Sequence, residues 1–370
     1  MQELFPEGYV FTWALYGQAH AQVAQQLEAG SPRRRGHIAE AARAVRRIES
    51  SEATSTFISG QRPVLGAFYA SWHLATLAEL VRASWPDEVD EEILSDLQAA
   101  ADSFAAALDD APSPFLTSYP GAAWPADVAV GIGALGIHDQ LFEPRYRSTI
   151  SAWVQEARRR LDEELGALSH GADPATGAPW GGVRGSSLAL MSRMLVDADP
   201  EFAEEQYRVL REHFVDQRLG FPGVREYPRG TDGSGDVDSG PLLLGFSGPA
   251  VVVGVAAARA HGDLDLAVAV QQAIEVVGLP VQLSHARRYG GGLVPVGDAF
   301  IAWAWSTPVR RTDVAWSMPV PTRWAIPLHL ASAVLIGLLL VRVGFLLGWW
   351  TAPQLFRTRQ EALVTRQEHS

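Results

Sequence analysis

Two stretches of this sequence carry residues that could move protons beside aromatic rings. The first is Tyr119-Pro-Gly-Ala-Ala-Trp-Pro-Ala-Asp127. Pro125 suits the first turn of a helix, which puts Asp127 near its third position, within reach of unpaired backbone N–H groups. Such groups stabilise a carboxylate. Asp127 therefore reads either as a first-turn residue that only balances the helix dipole or as a base projecting beside Tyr119 and Trp124. The second stretch is Phe221–Pro241, FPGVREYPRGTDGSGDVDSGP, with Glu226, Tyr227, Asp236 and Asp238. A loop this long and polar is uncommon without a role, although Asp238 or Ser239 could simply cap the helix that follows. The catalytic candidates are Asp127, Asp236, Asp238 and Glu226. Asp127 would be the base, and the acid would come from the loop, where partial burial raises a carboxyl pKa. Asp236-x-Asp238 falls far short of a full calcium loop, and His138, His170, His261 and His285 lack HExxH spacing. There is no GxSxG elbow or P-loop. Neither a metal nor a cofactor is expected.

A repeat of about 57 residues positions these groups. Six segments share a Pro- or Gly-rich turn, an aromatic residue and a helix of small and apolar residues; they start at Phe5, Arg62, Tyr119, Ala178, Val237 and Gly291. Between them lie amphipathic, charged helices at 37–50, 88–108, 144–165, 200–214 and 263–277. The first set is apolar nearly all round and so predicts buried helices, the second half-buried ones. No run alternates as a sheet would require. If the buried helices run the same way, their N-termini meet at one end, each with roughly half a positive charge. That end would gather Glu7, Arg62, Tyr119, Asp127, Arg184, Asp236, Asp238 and Asp298. Trp13, Trp72, Trp124, Trp180, Trp303 and Trp305 fall in the same segments. The substrate-binding candidates are Glu7, Trp13, Trp72, Tyr119, Trp124, Trp180, Arg184, Tyr227 and Asp298. Tryptophans stack on sugar rings but also wall other apolar ligands. Each candidate also has a plainer reading, such as an inter-helix ion pair for Arg184.

Six such hairpins resemble the (α/α)6 toroid of the six-hairpin glycosidase-like superfamily. The fold class expected is therefore all-α, an (α/α)6 toroid followed by a C-terminal hydrophobic helix. The likeness implies a cleft at one end of the toroid and a carbohydrate-active enzyme, glycoside hydrolase-like, with a small-molecule or glycan substrate. An inverting mechanism would set its two carboxylates about 6.5–9.5 Å apart. The alternatives are a lyase or isomerase on the same toroid, of the terpenoid dehydratase kind, and a non-catalytic protein that binds a glycan or a lipid-linked sugar.

The composition narrows the classes further. With a net charge of −12, no Lys and no basic face, nucleic acid is excluded as a partner. The absence of Cys removes thiolate chemistry. MQELFPEGYVFTW shows no basic n-region or cleavage site, so no signal peptide is read. Residues 326–350, IPLHLASAVLIGLLLVRVGFLLGWW, are long enough to cross a bilayer, and Trp324, Trp349 and Trp350 flank them. Arg342 lies inside this run and is costly there. The expected organisation is a toroid over 1–311, a Pro-containing linker over 312–325, a transmembrane helix over 326–350 and a polar tail over 351–370. The expected location is a membrane crossed once, with bilayer lipid as a second partner.

Overall fold

The computed structural model describes residues 7–86, 89–284, 286–310, 314, 316 and 325–346. The chain divides into two compact units, Met1–Arg218 with Pro222–Val320 and Leu219–Phe221 with Pro321–Ser370. In the first unit the buried helices are α1 (Gly8–Gln25), α4 (Gly66–Ser84), α6 (Pro125–Leu141), α8 (Gly185–Met194), α10 (Gly248–Ala260) and α12 (Pro295–Ser306). Half-buried helices alternate with them: α2 (Pro32–Ile48), α5 (Glu91–Asp109), α7 (Arg147–Arg158), α9 (Pro200–Val209) and α11 (Leu264–Val277). A single turn, α3 (Ser51–Thr54), follows α2. Each buried helix packs on the next, and α12 returns to α1, so the inner ring closes on itself.

The inner helices run in one direction. Toward one end, Phe11 of α1 meets Phe68 and Trp72 of α4 and Phe300 of α12 edge-on. Toward the other, Trp303 and Ser306 donate to Gln18 and Gln22, and Gln25 donates to Glu79. Small residues permit this closeness. A Cβ at Gly133 or Gly136 of α6 would run into the backbone carbonyls of Met194 and Asp197. Outer helices begin on ordinary caps: Ser31, Asp90, Asp199 and Asp263 each accept a bond from a backbone N–H of the first turn.

The far end of the ring is tied by charge. Arg82 bonds Glu79 at 2.6 Å and Asp197 at 2.9 Å, and Arg193 reaches Asp197 at 3.2 Å and Glu79 at 3.7 Å. Burial alone would raise the Asp197 carboxyl, but Arg82 and Arg193 outweigh it and hold the group below its ordinary value. Asp197→Ala should cost about 3–5 kcal/mol in urea unfolding at pH 7, because two buried guanidiniums lose a partner. A loss under about 1 kcal/mol would mean that water already screens the network.

Short strands join the helices where alternation was absent from the sequence. Among the described residues they form three two-stranded pieces: β1 (Gly171–Ala172) with β2 (Pro179–Trp180), β3 (Val215–Arg218) with β4 (Phe221–Val224), and β5 (Val281–Gln282) with β6 (Arg287–Arg288).

The second unit corrects the expectation of a membrane anchor. A helix does form there, α13 (Ala325–Leu346). Among the described residues, however, no helix is long and apolar enough to cross a membrane. Arg342 falls within the apolar run of α13, where a charge is costly in a bilayer. The membrane-spanning helix, the single-pass location and the bilayer partner are therefore withdrawn. Trp324, Trp349, Trp350, nearly all of the linker and the whole polar tail lie outside the described residues.

Candidate active site

At the N-terminal end of the ring, backbone bridges join the loops that lead into the helices. Ala67 at the start of α4 donates to the carbonyl of Thr117, and Ala123 and Ala172 exchange bonds of 3.1 and 2.9 Å. Gly171 pairs with Trp180, whose indole lies where a side chain on residue 171 would have to go. These links set an aromatic wall: Trp124 stands edge-on to Tyr119 at 5.5 Å and to Trp180 at 5.7 Å. Trp180 is 41% exposed, so one face of the wall meets solvent.

Pro125 starts α6, and Asp127 occupies the first turn as its spacing implies. The dipole was expected to depress its pKa. Burial acts the other way, and with Asp238 and Glu7 nearby it pushes the carboxyl up to about 7 despite a hydrogen bond from Ser118. Tyr119, hydrogen-bonded to Glu7 and close to Asp127 and Asp238, is also held above its ordinary value, with burial the largest cause.

The loop after β4 supplies the remaining acids. Its helix, α10, begins only at Gly248 and is capped by Ser247, which accepts from Ala250 N–H. Asp238 and Ser239 are thus not its caps. Instead Ser239 donates through both N–H and Oγ to Asp236 Oδ1, each at 2.9 Å, and Arg184 Nη1 holds Asp236 Oδ2 at 3.0 Å. Burial opposes ionisation of Asp236, but these donors outweigh it and keep the carboxyl low. Asp238 is pushed up to about 6 by desolvation, Asp236 and Glu7, although 47% of its side chain remains accessible.

Glu226 is fully buried. Its Oε1 accepts from Ser186 Oγ at 2.9 Å and lies 3.6 Å from Arg184 Nη1, while Oε2 has no partner. Burial dominates and lifts it to about 7. Gly185 is required here, since any Cβ would strike the carbonyl of Arg225. His170 bonds Ser187 Oγ at 2.7 Å and places Nε2 3.6 Å from Asp238 Oδ2. Burial lowers it to about 4, so the imidazole is neutral at pH 7.

These loops sit on a ring whose architecture is matched among solved structures. A D-mannose isomerase superposes with a TM-score of 0.50 at 8% identity, over 81% of this chain and 86% of that one. The fold resembles the six-hairpin glycosidase-like toroid. A GH76 alpha-mannanase from Bacteroides thetaiotaomicron gives 0.46 at 10% identity over 80% and 85% of the two chains. The Lin0763 protein from Listeria innocua gives 0.47 at 10% over 80% and 84%. No family model and no curated protein matches the sequence.

Of the sequence candidates, the toroid brings Glu7, Tyr119, Trp124, Asp127, Trp180, Arg184, Glu226, Tyr227, Asp236 and Asp238 into one set of contacts and charges. Tyr227 belongs through its ring, 4.6 Å from the Arg184 guanidinium. Three others lie elsewhere. Trp13 packs under Arg43 and Arg47 of α2, Trp72 is fully buried against Phe11, and Asp298 is bound by Tyr289 N–H and Arg288. His170, Ser186 and Ser187 belong to the cluster but have no sequence signature beyond adjacency to an inner helix. Among the described residues no group of three or more acids or histidines is placed to hold a metal ion. A separate concavity of about 860 Å³ lies between α5 and the end of α6. Its polar residues already satisfy one another: His138 with Gln98, Gln98 with Tyr146, and Tyr146 with Asp102.

The raised Asp127 value has a measurable consequence. In the unfolded chain this carboxyl ionises near 3.8, in the folded one near 7. Its contribution is therefore intact below the unfolded value and is lost as pH rises toward the folded one. The difference is worth at most about 4 kcal/mol. Asp127→Asn should match the parent in stability near pH 4 and exceed it increasingly up to pH 7–8, as read by thermal melts across pH. A pH-independent difference would mean that the carboxyl is not held protonated.

Proposed function

We propose that the chain is a carbohydrate-active enzyme that cleaves glycosides by general acid–base catalysis. The observation that carries this reading is the coupling of Asp127, buried in the first turn of α6 and raised to about 7, with Asp238, raised to about 6 and still accessible. Two carboxyls in unlike settings, one enclosed and one 47% accessible, divide into an acid and a base. The roles reverse those expected from the helix dipole. Asp127, the enclosed one, donates its proton to the glycosidic oxygen as the bond to the anomeric carbon breaks. Asp238 takes a proton from the water whose oxygen forms the new bond to that carbon. His170, neutral and fixed by Ser187, stands 3.6 Å from Asp238. Asp236 stays ionised beside Arg184 and adds negative charge facing the cation that develops on the sugar. Trp180 and Trp124 offer the face on which a sugar ring stacks.

The test is a panel of aryl and methyl glycosides of common hexoses assayed from pH 4 to 9. Turnover should follow a bell with limbs near 6 and 7, and Asp127→Asn should lower kcat by about 10²–10⁴-fold. Near-normal turnover in that variant would remove Asp127 from the chemistry. Aldose–ketose isomerisation is the second reading, favoured by the neutral imidazole of His170 and by the toroid shared with a D-mannose isomerase. Incorporation of solvent deuterium at C2 of a free aldose, without glycoside cleavage, would select it.

A further inference from the structure

Glu226 is an acid that the chemistry proposed above does not use, and its contacts tie it to the loop that carries Asp238. Its backbone is clamped: the N–H donates to the carbonyl of Gly245 at 3.1 Å, and the carbonyl accepts from Gly185 N–H at 2.8 Å. The side chain is fully buried, so a charge formed there cannot turn out to water. Ser186 Oγ donates to Oε1 at 2.9 Å, and the Arg184 guanidinium stands beside the same oxygen, with Nη1 3.6 Å away. Arg225, next in the chain, is engaged elsewhere, with Asp232 at 2.8 Å and Asp216 at 3.5 Å. His170, bonded to Ser187, stands 3.6 Å from Asp238.

The same Arg184 nitrogen lies 3.0 Å from Asp236 Oδ2. Asp236 in turn pins the loop. Its Oδ1 accepts from the N–H of Asp238 at 3.1 Å and from the N–H and Oγ of Ser239 at 2.9 Å each, and its carbonyl accepts from Gly240 N–H at 2.9 Å. The Ser239 carbonyl accepts from Ser247 Oγ, the cap of α10, at 3.0 Å. Residues 229–238 are exposed, so burial does little to hold this stretch. Its attachment beside Asp238 runs through Asp236 to Arg184.

We infer that Glu226 is a positioning residue for Asp238 and acts through Arg184. Protonated, it leaves the guanidinium to Asp236 and the loop is pinned. Ionised, it draws the same nitrogen to itself, Asp236 loses its partner, and the loop with Asp238 loosens. This holds whichever ligand the site takes. Burial sets where the change falls, since it lifts Glu226 to about 7 against Ser186 and Arg184, with Asp236 acting in the same sense as burial. The neutral carboxyl is the form that suits the fold, so the pin is intact below the ordinary carboxyl range and is lost as pH rises through about 7. Asp238 ionises lower, near 6, and His170 lower still, near 4. Asp127, which acts on Asp238 from α6, ionises in the same range as Glu226, and variants separate the two.

The experiment follows amide hydrogen exchange of the peptide spanning 227–241 by mass spectrometry on the full chain, at pH 6 and pH 8.5. Each rate is taken relative to that of the unfolded peptide at the same pH. Protection in the parent should fall about tenfold between the two, the loss of a charge-assisted hydrogen bond. Glu226→Gln keeps the shape and the bond from Ser186 but cannot ionise; it should match the parent at pH 6 and show no fall at pH 8.5. Asp236→Asn has no charge with which to hold Arg184, so its protection should be low at both values. Asp127→Asn should keep the step. A parent without the step overturns the inference. A step that survives in Glu226→Gln, or one that vanishes in Asp127→Asn, overturns it in favour of Asp127. A step that survives in Asp236→Asn overturns it by routing the effect past Arg184. Should Glu226→Gln lose its helical circular dichroism, the Asp127→Asn and Asp236→Asn proteins still decide between the two acids.

Discussion

Four charged side chains, Glu79, Arg82, Arg193 and Asp197, join α4, α8 and the turn after α8 at the C-terminal end of the ring, and Gln25 adds α1. Helix faces built from Ala and Gly present little relief, so side-chain ridges give weak control over how far one helix slides along another. Charged hydrogen bonds have direction and length, and they fix that axial position. With the register set at one end, the six N-termini at the other fall at set heights, and the loops between them inherit a platform. Burying four charges is costly, and the net gain in stability is small; what the network secures is the arrangement.

The helix dipoles and the burial of the two ends act in different senses. At the C-terminal end the dipoles are negative, and Arg82 and Arg193 occupy it in accord with the field. At the N-terminal end the field favours carboxylates, and the sequence places five acids there. Partial charges of about half a unit, however, cannot compensate for removal of a carboxylate from water. Where donors are numerous, as at Asp236, ionisation wins; where burial outweighs a hydrogen bond from Ser118, as at Asp127, the proton stays. One end of one ring thus holds carboxyls in different protonation states at the same pH.

The ring was legible in the sequence because a period of small, apolar helices leaves a strong trace, and Pro125 located Asp127 on its helix. The loops were less so. Trp13, Trp72 and Trp124 occupy equivalent places in three repeats, yet one packs under arginines, one lies in the core and one faces the site; a helical period cannot separate faces that differ by a fraction of a turn. Asp238 looked like a cap because Pro241 looked like a helix start, whereas Ser247 and Pro249 perform those tasks farther on. The pairing of Gly171 with Trp180 spans two residues per strand, too short for any alternation to register. The hydrophobic C-terminal run misled because its length and composition outweighed the cost of Arg342 inside it.

Arg184 settles which of the two acids beside it carries the charge. Its guanidinium lies 3.0 Å from Asp236 and 3.6 Å from Glu226, with the Tyr227 ring against it. One cation in a buried setting cannot hold two carboxylates ionised, because each added negative charge must also be desolvated. Asp236, nearer and further supplied by Ser239, takes the charge. Glu226, fully buried, with a single hydroxyl and a longer ion pair, keeps its proton near neutrality. The competition for Arg184 therefore leaves Glu226 protonated near neutrality while Asp236 is ionised, and it does so within loops that the ring supports but does not specify.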